Sequence, residues 1–172
     1  MGEGGNVRQP AEVQSQLKAA LRRLAKSVVV ISCAHDGQRF AMAATAVTEI
    51  SMEPPAMLAC VNRNSSIHTP LAAGADFCLN ILHGSHEEIS ALCSGKAGGE
   101  QRFAVGQWEE NETGIPFLAD AQANIFCRCE SFLTRGSHSI FMGDVVAARQ
   151  SGDVAPLVYL DGRYAAFGGP PA

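Results

Sequence analysis

Charge is scarce in this chain. Asp, Glu, Lys and Arg make up 17% of its residues, the formal net charge is −4, and Lys and Arg never cluster into a run. Such a surface has no electrostatic footprint for a nucleic-acid backbone or an anionic membrane, so neither is expected as a partner. No apolar stretch approaches transmembrane length, and the first residues show no positive segment followed by an apolar one. The expectation is a soluble, cytoplasmic protein. Paired metal-binding cysteine spacings are also missing: of six cysteines, only Cys127 and Cys129 stand close together, with one residue between them. Cys33, Cys60, Cys78, Cys127 and Cys129 lie in apolar, strand-like runs and read as reduced core thiols, with no metal site.

Several catalytic signatures are absent too. His86-Glu87 is followed by Ser90 where a zinc protease would need its second His. Gly95-Lys96 has neither the earlier glycine nor the following Ser/Thr of a phosphate-binding loop, and Gly98-Gly99 is no dinucleotide fingerprint. There is no G-x-S-x-G, and no Cys/His or carboxylate pair has the spacing of a nucleophilic or acid–base site. Any chemistry must come from elsewhere.

What is present is apolar bulk. With 172 residues and 47% hydrophobic side chains, the chain suits one domain that buries a core without staples, and the apolar excess suggests an oligomer interface. Residues 1–9 read as a flexible lead-in, 10–167 as the single domain and 168–172 as a flexible tail. Pro10 suits a first helical turn, and Val13, Leu17, Ala20, Leu21 and Leu24 recur at helical spacing, which predicts a helix packed on a sheet. Its Arg22, Arg23 and Lys26 read as a solvated face. Strands follow over 27–35, 56–61, 76–82, 117–121, 123–133, 138–149, 156–160 and 163–167, with hairpin turns at Asp36-Gly37, Gly136 and Asp161-Gly162. Short helices are predicted at 67–73, closed by Gly74, and from a Ser85–Glu88 capping box to about Cys93, with 94–100 as a flexible loop. Many short strands with a few helices fit a barrel with peripheral helices.

The chain is organised around residues 41–66. Ala41, Ala43, Ala44, Thr45 and Ala46 leave one strand bare, as a backbone must be if a flat ligand is to lie against it. Glu53-Pro54-Pro55 forces a turn, and the returning strand ends at Asn62, ahead of Ser65 and Ser66. The two hydroxyls and the amides that open the following helix suit a phosphate, or else the serines simply cap that helix. Asn80 sits in the apolar run FCLNIL, where a buried amide must find partners, either in the protein or on a ligand.

On Ala44-Thr45-Ala46-Val47-Thr48, Ser51-Met52-Glu53-Pro54-Pro55, Cys60-Val61-Asn62-Arg63 and the segment from Gly136 to Val145, the chain resembles the short-chain flavin reductases. The likeness spans roughly residues 20–167. It implies a mainly β, FMN-binding split β-barrel with peripheral helices, and an NAD(P)H:flavin oxidoreductase that reduces FMN, or FAD, with NADH or NADPH as hydride donor. It further implies a homodimer and a partner monooxygenase that consumes the reduced flavin. Flavin contacts then fall on Ala43, Ala44, Thr45, Ala46, Cys60, Val61, Asn62, Ser65, Ser66, Asn80, the pair Arg102-Phe103, and Tyr164. His138 becomes the contact to the nicotinamide. The family commonly carries an acid where Ser137 stands. The same barrel also hosts pyridoxamine-phosphate-oxidase-like enzymes and flavin-binding proteins without turnover. Glu53-Pro54-Pro55 and His138 match the reductases.

Overall fold

The computed structural model describes residues 10–166; the lead-in expected over 1–9 and the tail expected over 168–172 lie outside the described residues, as does Phe167. Helix α1 (Pro10–Leu21) and the short strand β1 (Lys26–Ser27) lead into β2 (Val29–His35) and β3 (Gln38–Ala44). The hairpin between them turns on Asp36 and Gly37 at φ 49° and 72°, the paired positive values that the Asp-Gly dipeptide predicts. β4 (Val47–Met52) and β5 (Pro55–Asn62) form the next hairpin, α2 (His68–Ala72) and β6 (Phe77–Ile81) follow, and α3 (Glu87–Ala91) begins the helical excursion. After the small hairpin β7 (Trp108–Glu110) and β8 (Pro116–Leu118), two long strands, β9 (Ala123–Arg135) and β10 (His138–Gln150), precede β11 (Leu157–Leu160) and β12 (Arg163–Ala166).

Seven antiparallel strands make the main sheet in the order β3-β2-β6-β9-β10-β5-β4. Its two edges, β3 and β4, are consecutive in the chain and joined by Thr45 and Ala46 alone, so the sheet has to curl until its edges nearly meet. They do not pair with each other. The barrel is therefore split at this seam, and the Ala46 carbonyl accepts from the Cys60 amide at 2.9 Å to tie the corner to β5. The sequence predicts one strand across Ala41–Ala46; the structure breaks it at Thr45 because the two halves belong to opposite edges.

β2 is buried on both faces. Val29, Ile31 and Cys33 point into a core with Phe77, Phe141 and the α2 residues Leu71 and neighbouring Ile67, while Val28 and Val30 face a second core with Ile89, Phe103, Leu118 and Leu157. Gly143 lies at a bulge of the β9–β10 ribbon, where a Cβ would stand 2.8 Å from the Arg128 carbonyl, so only glycine lets the strands approach.

Four local expectations change. Helix α1 forms but buries none of its residues: Val13, Leu17 and Leu21, with Leu24 just beyond it, stay exposed instead of packing on the sheet. Ser85 makes no capping box; its hydroxyl and amide both turn to His83 Nδ1, at 2.8 and 3.1 Å, and α3 starts without a side-chain cap. The loop expected over 94–100 is largely structured, as a π turn (Leu92–Lys96) and a 3₁₀ turn (Gly99–Phe103). Nor do the serines before α2 cap it.

Candidate functional site

The candidate site follows strand β3, where Ala41, Ala43 and Ala44 are small and the two ends meet different partners. At Ala41, Arg102 reaches over from the 3₁₀ turn: Nη1 donates to the Ala41 carbonyl and to Ser66 Oγ, both at 2.8 Å, and Nε donates to the Ala97 carbonyl at 3.0 Å. Nη2 has no such commitment, and no carboxylate pairs with Arg102 among the described residues. The guanidinium thus stands as an unneutralised charge beside an exposed hydroxyl, in a pocket of about 240 Å³ lined by Gln38, Arg39, Phe40, Ser66, Gly99, Glu100 and Arg102. Its neighbour Arg39 is differently placed, bound to Glu100 and lying over the Phe103 ring with its Cζ 4.3 Å from the centroid. The hydrogen bond from Arg39 holds the Glu100 carboxyl below its ordinary range.

At the other end of β3, Ala43, Ala44 and Thr45 line a pocket of about 280 Å³ whose far wall is Ser90, Ser94, Tyr159 and Tyr164. Strands advance about 3.3 Å per residue, so the charged end at Ala41 and the bare end at Ala44 lie about 10 Å apart. Two separate pockets thus lie along β3, a cationic one near Ala41 and a bare one at Ala43–Thr45.

A third group forms where β5 and β10 end together. His138 pairs in register with Asn62, and the Arg63 amide donates to the Ser137 carbonyl at 2.9 Å. His138 is exposed, with Nδ1 2.9 Å from the Ser137 hydroxyl, so the serine stands against the imidazole. Behind it, His68 Nε2 lies 2.9 Å from the buried Ser139 hydroxyl, and the His68 ring meets Phe141 edge-on.

Not every expected residue faces this space. Asn80 is fully buried and fully used: its Nδ2 donates to the Val30 carbonyl and Ser32 Oγ, and its Oδ1 accepts from the Leu118 amide and Asn124 Nδ2, all at 2.8–2.9 Å. With its hydrogen-bonding capacity spent in the core, Asn80 is a structural residue and not a ligand contact. The Val61 side chain also points into the core, so only its backbone could serve, and Cys60 is half-buried on the opposite face of β5. Phe103 is 8% exposed and packs edge-on against Trp108, which makes it core support for Arg102's turn. Ser65 spends its hydroxyl on the Asn62 carbonyl at 2.6 Å, and Ala46 sits at the seam. Of the serine pair, Ser66 is the one turned to the charged pocket.

Sequence reasoning missed Ser90, Ser94, Tyr159 and Arg39. No local signal marks them, since three sit on separate elements that only the barrel brings to β3. All six cysteines are free thiols, and burial raises Cys33 and Cys127 to about 12 and Cys93 to about 11. No group of three or more His, Cys, Asp or Glu could hold a metal among the described residues. Nor is any described helix long and apolar enough to cross a membrane.

A profile described as "Flavin reductase like domain" matches residues 21–168. The chain belongs to that family. This flavin reductase like chain is 37% identical over 165 residues to the FADH(2)-dependent resorcinol hydroxylase, reductase component, of Rhizobium sp. (strain MTP-10005), covering 95% of this chain and 92% of that one. It is 36% identical to the FMN reductase (NADH) RutF 2 of Rhizobium rhizogenes (strain K84 / ATCC BAA-868), across 92% and 91% of the two chains. Among solved structures, the Streptomyces globisporus C-1027 NADH:FAD oxidoreductase SgcE6, in complex with NAD and FAD fragments, superposes with a TM-score of 0.85 over 98% of this chain and all of the other. At 23% identity that likeness speaks for the fold, and the fold it shares is the split barrel.

Proposed function

We propose that this protein is an NAD(P)H:flavin oxidoreductase that reduces FMN, or FAD, and releases it to a partner monooxygenase. The observation that carries the reading is the pair of pockets along β3, taken together as one trough: bare alanines at one end, and at the other an arginine with no acidic partner among the described residues, beside an exposed hydroxyl. Those residues fit a flavin. The small side chains of Ala43 and Ala44 admit a planar ring, and Arg102 with Ser66 offers charge-assisted donors to a phosphate. NADH is favoured as donor by the names of the curated relatives.

When bound, flavin and nicotinamide supply the redox chemistry themselves, the first accepting the hydride that the second gives up. The chain's task is placement. Holding reacting atoms about 3–3.5 Å apart contributes on the order of 7–11 kcal/mol to lowering a barrier, without any side chain exchanging protons. In this reading Arg102 and Ser66 orient the phosphate end, the β3 alanines and Tyr164 bound the ring, and His138 meets the nicotinamide at the mouth. The absence of a triad from the sequence is then expected.

The reading includes a homodimer and a cytoplasmic location. An exposed apolar stripe on α1 lies beside an apolar groove of about 570 Å³ lined by Leu24, Val29, Val47, Met57, Leu79, Ile81 and Ile125, which suits a second copy. Six free thiols suit a reducing compartment.

The test mixes purified protein with FMN or FAD and with NADH or NADPH in air, following the nicotinamide absorbance. Sustained flavin-dependent consumption is expected; binding of flavin without consumption would instead make this a flavin-binding module. His138→Ala should lower kcat with NADH by about tenfold, the scale of one lost hydrogen bond, and leave flavin affinity unchanged. A parallel loss of flavin binding would remove His138 from the nicotinamide side.

A further inference from the structure

The pocket at Ala43–Thr45 is closed on its far side by the β11–β12 hairpin, and one polar contact ties the Tyr164 side chain of that hairpin to α3. β12 is the outer strand of a three-stranded sheet ordered β1-β11-β12, so it has a strand partner on one side only. From it, Tyr164 turns inward, held edge-on by Tyr159 with ring centroids 5.4 Å apart. Its hydroxyl lies 2.9 Å from the hydroxyl of Ser90 on α3.

Ser90 is an unusual residue to find there. It is 1% exposed, among the apolar side chains Ile89 and Cys93, and a buried hydroxyl without a partner costs free energy. A serine inside a helix ordinarily bonds back to the carbonyl one turn earlier. Ser94 does so, to the Ser90 carbonyl at 2.7 Å. Ser90 does not: the Tyr164 hydroxyl is the one side-chain partner its own hydroxyl has among the described residues.

We propose that Ser90 is a positioning residue: its hydroxyl holds the Tyr164 ring as the wall of the trough facing Ala43 and Ala44, and so sets the affinity for a planar isoalloxazine ring. The inference rests on the flavin reading above. Ser90 acts through Tyr164 on the ring end of the trough, not on the phosphate end at Arg102. Its effect is therefore the same for FMN and riboflavin.

The experiment measures flavin affinity by fluorescence titration, and NADH oxidation kinetics, for Ser90→Ala, Tyr164→Phe and the double variant. Each single variant should weaken FMN and riboflavin alike, by about three- to tenfold, while the KM for NADH stays put. Because both substitutions delete one shared bond, the double variant should bind no more weakly than either alone. Ser90→Thr, which keeps the hydroxyl, should restore affinity. A lowered unfolding temperature with unchanged flavin affinity would show a merely structural bond and overturn the proposal, as would additive losses in the double variant. Tyr164→Phe changes a half-buried edge residue and keeps the test open if Ser90→Ala fails to fold. If the unmodified protein neither binds flavin nor consumes NADH with it, the flavin reading fails and the Ser90 proposal falls with it; unchanged affinity in the variants of a flavin-binding protein overturns the Ser90 proposal alone.

Discussion

Arg102 illustrates how one side chain joins local structure to binding. Its Nε and Nη1 stitch the 3₁₀ turn to β3 and to Ser66, which fixes a flexible cation in one geometry before any ligand arrives. Preorganisation of that kind makes the charge effective, because the side-chain entropy is already lost on folding. Hydrogen bonds to a charged group are worth about 1.5–3 kcal/mol, or roughly ten- to hundredfold in affinity. Arg102→Ala should weaken FMN by that factor and riboflavin hardly at all, read by fluorescence titration. Equal losses for both flavins would show that the arginine shapes the trough without touching a phosphate. Arg102→Lys should recover only part, since an ammonium cannot bridge three acceptors in a plane.

Among the elements, the start of α3 carries a buried histidine. In place of a capping box it has a histidine turn: His86 Nδ1 accepts from the His83 amide at 3.3 Å, while Nε2 lies 3.5 Å from Asp120. Burial pushes the His86 pKa below its ordinary 6.5; the Asp120 carboxylate opposes that shift, and His83 adds to it. The sign follows from linkage. The unfolded chain binds the proton more readily than the folded one, so the contribution of neutral His86 is complete above pH 6.5 and is lost as pH falls through the lower folded value. Protonation also turns the Nδ1 acceptor into a donor facing an amide. Thermal unfolding followed from about pH 8 to pH 5 should drop more steeply in the native protein than in His86→Gln, which keeps an acceptor and a donor but does not titrate. Parallel curves would remove His86 from the acid response. Since α3 bears Ser90, acid should loosen the ring pocket with it.

At the scale of the molecule, the exposed stripe on α1 is hard to reconcile with a chain that works alone. Leu17 is 55% exposed and Leu21 44%, on a helix that buries none of its residues. Just beyond its end, Arg22 Nε donates to Asp161 at 2.7 Å and the Asp161 amide donates to the Arg22 carbonyl at 3.1 Å. Burying a leucine contributes about 1.5–3 kcal/mol, so two such residues in two copies amount to a large share of a dimer's association energy. Leu17→Glu/Leu21→Glu should therefore convert a dimer into a monomer in size-exclusion chromatography with light scattering. Since Thr45 and Leu24 share the groove beside this helix, flavin affinity should fall as well. A native protein that already runs as a monomer would end this reading.

Much was decided by the order of residues alone. The hairpins at Asp36-Gly37, Gly136 and Asp161-Gly162 appear where positive φ was demanded, because that demand is met or missed within two residues. Strand positions, the bare run at Ala41–Ala46 and the family likeness were legible for the same reason: each is a local pattern. Tertiary structure decided the rest. Asn80 is spent in the core while Arg102 stands at a pocket without an acidic partner among the described residues, because the first finds its partners inside the barrel and the second only carbonyls and a hydroxyl at its edge. The break at Thr45 follows from which strands become edges, a choice made by distant pairings such as Ala56 with Asp144. Ser90 and Tyr164 lie 74 positions apart and meet at 2.9 Å, and no window of sequence spans that distance.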